Sequence, residues 1–325
     1  MKINSNIFTD AMKYNKIVFE NDLAKIHNYD AEGIGVLSKK KIATATEEKI
    51  EFTLSEKDYK FISKLGEIDL LVTNKEVKVR SKGNKYKFAC LIDVPDFTVD
   101  TNELKQLGIT YEQLSKFSSF VGDIKTQPQY GGVNILNEVM ITSKGGFAII
   151  RRDFKNESGY QINIPKSSIK YIQEHEKLKF MTNGKFLICM TPGRNFYTTL
   201  IENKLNNNKI VLDNKYKVNI NRTEILNELK MIQDYAEIVK ICYKNNKLNL
   251  RITTAEQEFD VNVNATNFEG TNIVLNFHIK NLLLILGAIE AEEILLEISD
   301  RALRIYDQTK ENEFFLTRYG NIEEE

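Results

Sequence analysis

Lysines at helical spacing carry the most suggestive chemistry in this chain of 325 residues. Lys57, Lys60 and Lys64 fall at i, i+3 and i+7, and Lys166, Lys170 and Lys177 at i, i+4 and i+11, so each set lies along one stripe of a helix. Lys13, Lys16, Lys105, Lys116, Arg222, Lys230 and Lys280 fall in other segments that read as helical. Opposite them, Phe61, Ile62 and Leu65, then Ile169 and Ile172, then Ile225, Leu226, Leu229 and Ile232, form apolar faces suited to packing on sheets. Rows of cations can neutralise phosphates without reading bases. A lysine row opposite a core face also reads as a solvated helix surface. Glu224 and Glu228 dilute the charge of the last set.

Reaction chemistry is hard to assemble. Of the three histidines, His27 and His278 are isolated, and His175 sits in the charged run Glu174-His175-Glu176-Lys177. Gly33-Ile34-Gly35 lacks the third glycine of a dinucleotide fingerprint, and there is no Walker loop. Gly131-Gly132 and Gly145-Gly146 read as turns. The acids Glu290, Glu292 and Glu293, and Glu323 to Glu325, lack the spacing of a two-metal site. Cys90, Cys189 and Cys242 are odd in number and far apart, which suits reduced thiols and neither a disulfide framework nor a zinc site. The expectation is a protein with no cofactor, no metal and no catalytic set.

Charge and hydropathy narrow the class further. The 45 basic and 45 acidic side chains cancel, which argues against a protein that coats DNA by bulk charge but leaves room for one basic face. The N-terminal stretch lacks the apolar core of a signal peptide, and the longest apolar run, Leu282 to Ile289, is far short of a membrane span. These features predict a soluble cytoplasmic protein that engages no membrane.

The elements that position the cations recur three times. Each copy opens with a short strand leading into a helix: Met1–Phe8 into Thr9–Lys16, Thr98–Asp100 into Thr101–Phe120, and Lys217–Ile220 into Asn221–Tyr235. A second strand-to-helix unit follows in IEFTLSEKDYKFISKLG (Ile50–Gly66), YQINIPKSSIKYIQEHE (Tyr160–Glu176) and IVLNFHIKNLLLILGA (Ile273–Ala288). Ser55 suits an N-cap and Pro165 a first turn. Closing strands follow at Ile68–Val72, Val77–Ser81 and Tyr86–Ile92, at Leu178–Met181, Phe186–Thr191 and Phe196–Ile201, and at Ile294–Ser299, Ala302–Asp307 and Glu313–Tyr319. Copies recur roughly 100–120 positions apart, a domain-scale period and not a solenoid's. The reading is three α+β domains, residues 1–97, 98–213 and 214–325, each with two helices on one face of an antiparallel sheet. Doubled by a twofold axis, three such domains make six units at ~60° each, a closed ring whose inward helices face a duplex.

Specific stretches carry a family resemblance. Phe277-His278-Ile279-Lys280-Asn281-Leu282-Leu283 is similar to a helix start of the form F-N-x-x-Y-L, Phe314-Phe315-Leu316-Thr317-Arg318-Tyr319 to a closing apolar strand with arginine, and Asp93-Val94-Pro95-Asp96-Phe97 to a first interdomain junction. With the domain order, these resemble the bacterial DNA polymerase III beta subunit, the DNA sliding clamp, in a phage-encoded version. The resemblance implies a DNA clamp fold forming half of a ring, a homodimer that encircles double-stranded DNA without sequence preference, and loading by a clamp loader. It also implies that the polymerase and the loader dock short hydrophobic peptides in a cleft between the second and third domains. Carried over, the cleft comprises Thr142, Phe147 and Ala148, then Ile210, Val211 and Leu212, then Phe315, Leu316 and Arg318. The dimer seam sets Tyr86 and Phe88 against Met231 and Ile232.

This chain departs from the family's pattern in places. Thr142-Ser143-Lys144-Gly145-Gly146-Phe147 stands where the family has T-D-G-H-R, Leu205-Asn206 where it has F-P, and Phe315-Leu316-Thr317-Arg318 where it has M-P-x-R. The competing reading is a repeat-built viral interaction scaffold that never encloses DNA.

Overall fold

Alternating apolar and polar side chains commit most of this chain to strands. The computed structural model describes every residue except 74, 96–98, 124, 126, 145, 152–153, 206–215, 245–246, 255–256, 270–272, 307–311 and 321–325. The chain divides into two compact units, Met1–Tyr111 with Glu157–Leu200, and Glu112–Asn156 with Ile201–Glu325.

The first unit holds two antiparallel sheets. One runs in the order Lys2–Asn4, Glu67–Val72, Glu76–Ser81, Asn84–Ala89. The other runs Tyr14–Tyr29, Ile34–Ser55, Arg194–Thr199, Phe186–Thr191, Lys179–Thr182, Lys105–Leu107. The helix Glu56–Ile62 begins where the sequence places it. The Ser55 hydroxyl accepts from the Asp58 amide at 3.2 Å and donates to Asp58 Oδ2 at 2.8 Å, satisfying an end that has no intrahelical partner. Its Tyr59 and Ile62 enter one core with Leu54, Leu70, Val77 and Val79.

The helix expected over Thr9–Lys16 does not form. The carbonyls of Thr9 and Asp10 accept from Asn28 Nδ2 at 2.7 and 2.8 Å, and the Tyr59 hydroxyl also donates to Thr9 O at 2.9 Å. Asp10 lies at φ 58°, a left-handed conformation that a right-handed helix cannot pass through. From Tyr14 the chain is a long strand. Ile17 and Phe19 point into the core, an irregularity around Asn21 (φ 55°) shifts the alternation, and Ala24 and Ile26 point inward beyond it.

Two further helices are shorter than expected. Within Thr101–Phe120, Lys105–Leu107 is a strand paired with Phe180–Thr182, and only Tyr111–Ser118 is helical. The helix after Ile162–Pro165 spans only Lys166–Ile169, with Pro165 at the N-cap and not in the first turn.

The second unit carries one antiparallel succession: Gly132–Ile135, Met140–Ser143, Phe147–Arg151, Glu313–Thr317, Ala302–Tyr306, Glu293–Ile298, Tyr216–Asn221, Glu258–Glu269, Lys247–Thr253, Ile238–Lys244, Ile273–His278. Its helices Arg222–Ile232 and Ile279–Ala288 follow strands directly, as the sequence indicates. Asn221 caps the first by accepting from the Glu224 amide at 3.0 Å. Arg222 then ties the two helices together, its guanidinium donating to Ala291 O at 2.9 Å and Leu286 O at 3.1 Å.

Five α-helices occur among the described residues, and the shortfall from two per copy is the missing Thr9–Lys16 helix. None of these helices is long and apolar enough to cross a membrane.

Candidate functional site

The cations divide by how free their charge is. Lys57 and Lys60 are exposed on the helix Glu56–Ile62, with Lys60 ion-paired to Glu56 one turn earlier. Lys64 lies beyond the last helical turn, so the expected three-residue stripe is cut to two. Lys166 opens the single turn Lys166–Ile169, Lys170 is its C-cap, and Lys177 lies well past it. Lys13 and Lys16 are off any helix; Lys13 Nζ sits 5.4 Å from the Tyr14 ring centre and Lys16 pairs with Glu51 at 2.8 Å. Lys105 is on a strand, 5.2 Å from the Tyr160 ring, and Lys116 is half-buried in its helix. Lys230 and Lys280 are exposed on the helices of the second unit. Arg222 is spent on helix-end carbonyls.

Five of the residues grouped as one peptide cleft divide between two faces of one sheet. Phe147 stands opposite Leu316, and Ala148 opposite Phe315; successive strand residues point to opposite faces. Thr142, opposite Ile149, shares the face of Phe147 and Leu316, where Phe120 packs 5.8 Å from Phe147 and 5.7 Å from Phe314. Ala148 and Phe315 occupy the other face with Val139 and Ile150, and the Arg304 guanidinium lies 4.8 Å from the Phe315 ring. All five are buried, Phe315 at 4% and Leu316 at 2% exposure. Arg318 is half-buried and its amide donates to Arg301 O at 3.0 Å. Ile210, Val211 and Leu212 lie outside the described residues.

Open space lies beside this sheet. A pocket of about 370 Å³ is walled by Gly122, Asp123, Gln127, Tyr130, Lys144, Phe147 and Asn281. Phe147 is the wall residue that sequence reasoning named. Lys144 and Asn281 were within reach, since each lies inside a stretch already compared with the family. Tyr130 and Gln127 had no sequence signal, because a turn brings them here from outside any motif. Gly122 is held tightly: its amide donates to Tyr130 O and Ser143 O, and a Cβ would sit 3.1 Å from Ser143 O.

Each proposed seam residue has a distinct setting. Tyr86 and Phe88 lie on Asn84–Ala89, the outermost strand of its sheet, with Phe61 packed 5.1 and 5.7 Å from their rings. Phe61 remains 42% exposed. In the second unit Met231 is 62% exposed while Ile232 is buried at 3%, so these helix neighbours serve different faces.

Among the described residues no three His, Cys, Asp or Glu side chains are grouped to hold a metal ion. Burial pulls the His27 imidazole down to about 4, with Lys16 adding to the shift. Burial likewise pushes the Cys189 thiol far above its ordinary range.

No protein-family model matches the sequence, and no curated protein matches it. Solved structures do match. The DNA polymerase III subunit beta of Pseudomonas aeruginosa superposes at TM-score 0.84 and 13% identity, over 98% of this chain and 99% of that one. The DNA polymerase sliding clamp of Caulobacter crescentus gives 0.83 and 11%, over 98% and 100%. The DNA polymerase III beta subunit of Thermotoga maritima gives 0.80 and 15%, over 98% of both chains. End to end, this chain has the sliding-clamp fold of the bacterial DNA polymerase III beta subunits.

Proposed function

We propose that the protein is a DNA sliding clamp: a non-enzymatic processivity factor that encircles double-stranded DNA and tethers a polymerase to it. The observation that carries this reading is the near-complete overlap with solved clamps in both directions, 98% of this chain and 98–100% of theirs. In this reading residues 1–97, 98–213 and 214–325 are the three clamp domains, and a head-to-tail homodimer closes the ring. Lys57, Lys60, Lys166, Lys170, Lys230 and Lys280 face the phosphates. The hold on DNA is topological, so these charges form a loose sleeve whose contribution weakens steeply with salt.

Partner peptides dock at the pocket of Tyr130, Lys144, Phe147 and Asn281, a mixed polar and aromatic recess suited to a short hydrophobic segment. Tyr86, Phe88 and the exposed Met231 supply the dimer seam.

The test is to load the protein on circular DNA and then linearise the circle. A clamp slides off the free ends. Retention on the cut molecule rejects the reading, and a monomeric solution mass at working concentration points instead to a scaffold that never encloses DNA.

A further inference from the structure

The recess in the second unit is walled by polar groups that the fold leaves unused. The side chains of Gln127, Tyr130, Lys144 and Asn281 make no hydrogen bond or ion pair among the described residues. Phe147 supplies the apolar wall, buried at 4% exposure and backed by Phe120 at 5.8 Å. Asp123 is the one carboxylate in the wall, and its Oδ1 accepts from the Lys125 amide at 2.9 Å. It forms no ion pair with Lys144, which is exposed.

A second cation stands beside the recess. Thr317 is tied to Gly146 by its amide at 2.7 Å and its hydroxyl at 2.9 Å, and the Tyr319 amide donates to Asn276 O at 2.7 Å. Arg318, between them, therefore runs from the turn that carries Lys144 to the strand that leads into the helix of Asn281. Its Nη1 is buried and has no acceptor among the described residues. A donor withdrawn from water without an acceptor is costly, and an incoming carboxylate relieves that cost with a charge-assisted bond.

We propose that this recess selects hydrophobic partner peptides that carry an acidic side chain beside their apolar anchor, held by Lys144 and Arg318. The inference rests on the docking reading of the pocket and names what the pocket distinguishes. The anchor packs on Phe147 and the Tyr130 ring, and the amides of Gln127 and Asn281 serve the peptide backbone, each offering donors and an acceptor. A carboxylate beside the anchor meets two positive charges. A neutral side chain there leaves Lys144 and Arg318 no better satisfied than in the free protein, and a site with unmet polar groups rejects a ligand that lacks the complement. Lys144 is exposed, so its share is screened by salt, while the share of half-buried Arg318 persists.

The experiment measures anisotropy of fluorescein-labelled, C-terminally amidated peptides titrated with the full chain. The peptides are Gly-Glu-Leu-Leu-Phe-Gly and Gly-Leu-Leu-Phe-Glu-Gly, each beside its glutamine and its lysine counterpart. In at least one of the two frames glutamate is expected to bind about fivefold more tightly than glutamine, the upper end for a partly exposed ion pair. Lys144→Gln is expected to cut that preference to about twofold or less, and Lys144→Glu to turn it in favour of lysine. Arg318→Gln is expected to reduce the preference as well. Tyr130→Ala removes ring surface and no charge, and is expected to weaken glutamate and glutamine peptides by the same factor. Equal affinities for glutamate and glutamine in both frames overturn the proposal. So does a preference for lysine in the native chain, which assigns the recess to Asp123, and so does a glutamate preference that survives both Lys144→Gln and Arg318→Gln. If no peptide of the set binds, the docking reading of the pocket fails and this inference with it, whereas binding without discrimination rejects this inference alone.

Discussion

Arg194 and Asp10 meet as a two-point ion pair, Nη2 to Oδ1 at 2.9 Å and Nε to Oδ2 at 3.2 Å, although 184 positions separate them. Both side chains are about seven-eighths buried, and the same guanidinium donates to Tyr171 O at 3.0 Å. The pair pins the loop at Thr9 and Asp10 to strand Arg194–Thr199. Arg194→Ala leaves a buried carboxylate without its partner and is expected to cost about 3 kcal/mol in urea unfolding. Arg194→Lys should recover less than half, since an ammonium cannot match both oxygens.

Gly35 lies under the ring of Tyr197, and a Cβ there would sit 2.4 Å from Tyr197 Cε2. Tyr197 is buried, so the ring has little room to yield. Gly35→Ala is expected to lose about 1–3 kcal/mol, and adding Tyr197→Leu should restore part of it. Equal losses in the single and double variants would place the strain elsewhere.

His27 gives the fold an acid sensitivity of defined sign. Its folded-state value of about 4 lies below the ordinary 6.5. The unfolded chain therefore takes up a proton first as pH falls, and stability is lost between about pH 6.5 and 4, while above that window the contribution is complete. The loss is on the order of 3 kcal/mol. His27→Gln should flatten the dependence of Tm on pH in this window; an unchanged slope assigns it to other groups.

Arg222 reads as a phosphate contact in the sequence and as a helix tie in the structure. Arg222→Ala frees the carbonyls of Leu286 and Ala291 and is expected to cost about 1–2 kcal/mol. At matched folded fraction it should leave salt-dependent residence on circular DNA unchanged, whereas Lys230→Glu should shorten it.

Phe315 and Leu316 are too buried to report on a docked peptide. Either one changed to alanine is expected to cost about 2–5 kcal/mol before any binding is read. Tyr130→Ala, at the half-buried wall of the 370 Å³ pocket, should weaken a fluorescent hydrophobic peptide about tenfold with Tm nearly unchanged. A peptide insensitive to Tyr130 and Asn281 substitutions places the docking surface elsewhere.

The sequence alone determined the elements whose signals are local. Ser55 marks a helix start because a short oxygen-bearing side chain can satisfy a free amide two or three residues on. The hairpins of Glu67–Val72 with Glu76–Ser81, and of Glu293–Ile298 with Ala302–Tyr306, show in alternation and polar turns. The strand Tyr14–Tyr29 had such a signal too, in Asn15, Ile17 and Phe19 and then Ala24 and Ile26, but the register change around Asn21 broke the pattern into pieces that read otherwise.

Tertiary structure decided whatever depends on partners distant in the chain. Thr9–Lys16 is no helix because Asn28 and Tyr59 take its carbonyls. Arg222 is no free cation because the end of another helix lies within reach. Phe147 and Ala148 divide between two faces because each strand residue answers to the sheet and not to its neighbour in sequence. Lys78 comes to face Lys87, and Arg80 to face Lys85, only once the hairpin's register is set. Local propensity specifies elements, whereas the fate of a charge or an aromatic ring is fixed by what folding brings opposite it.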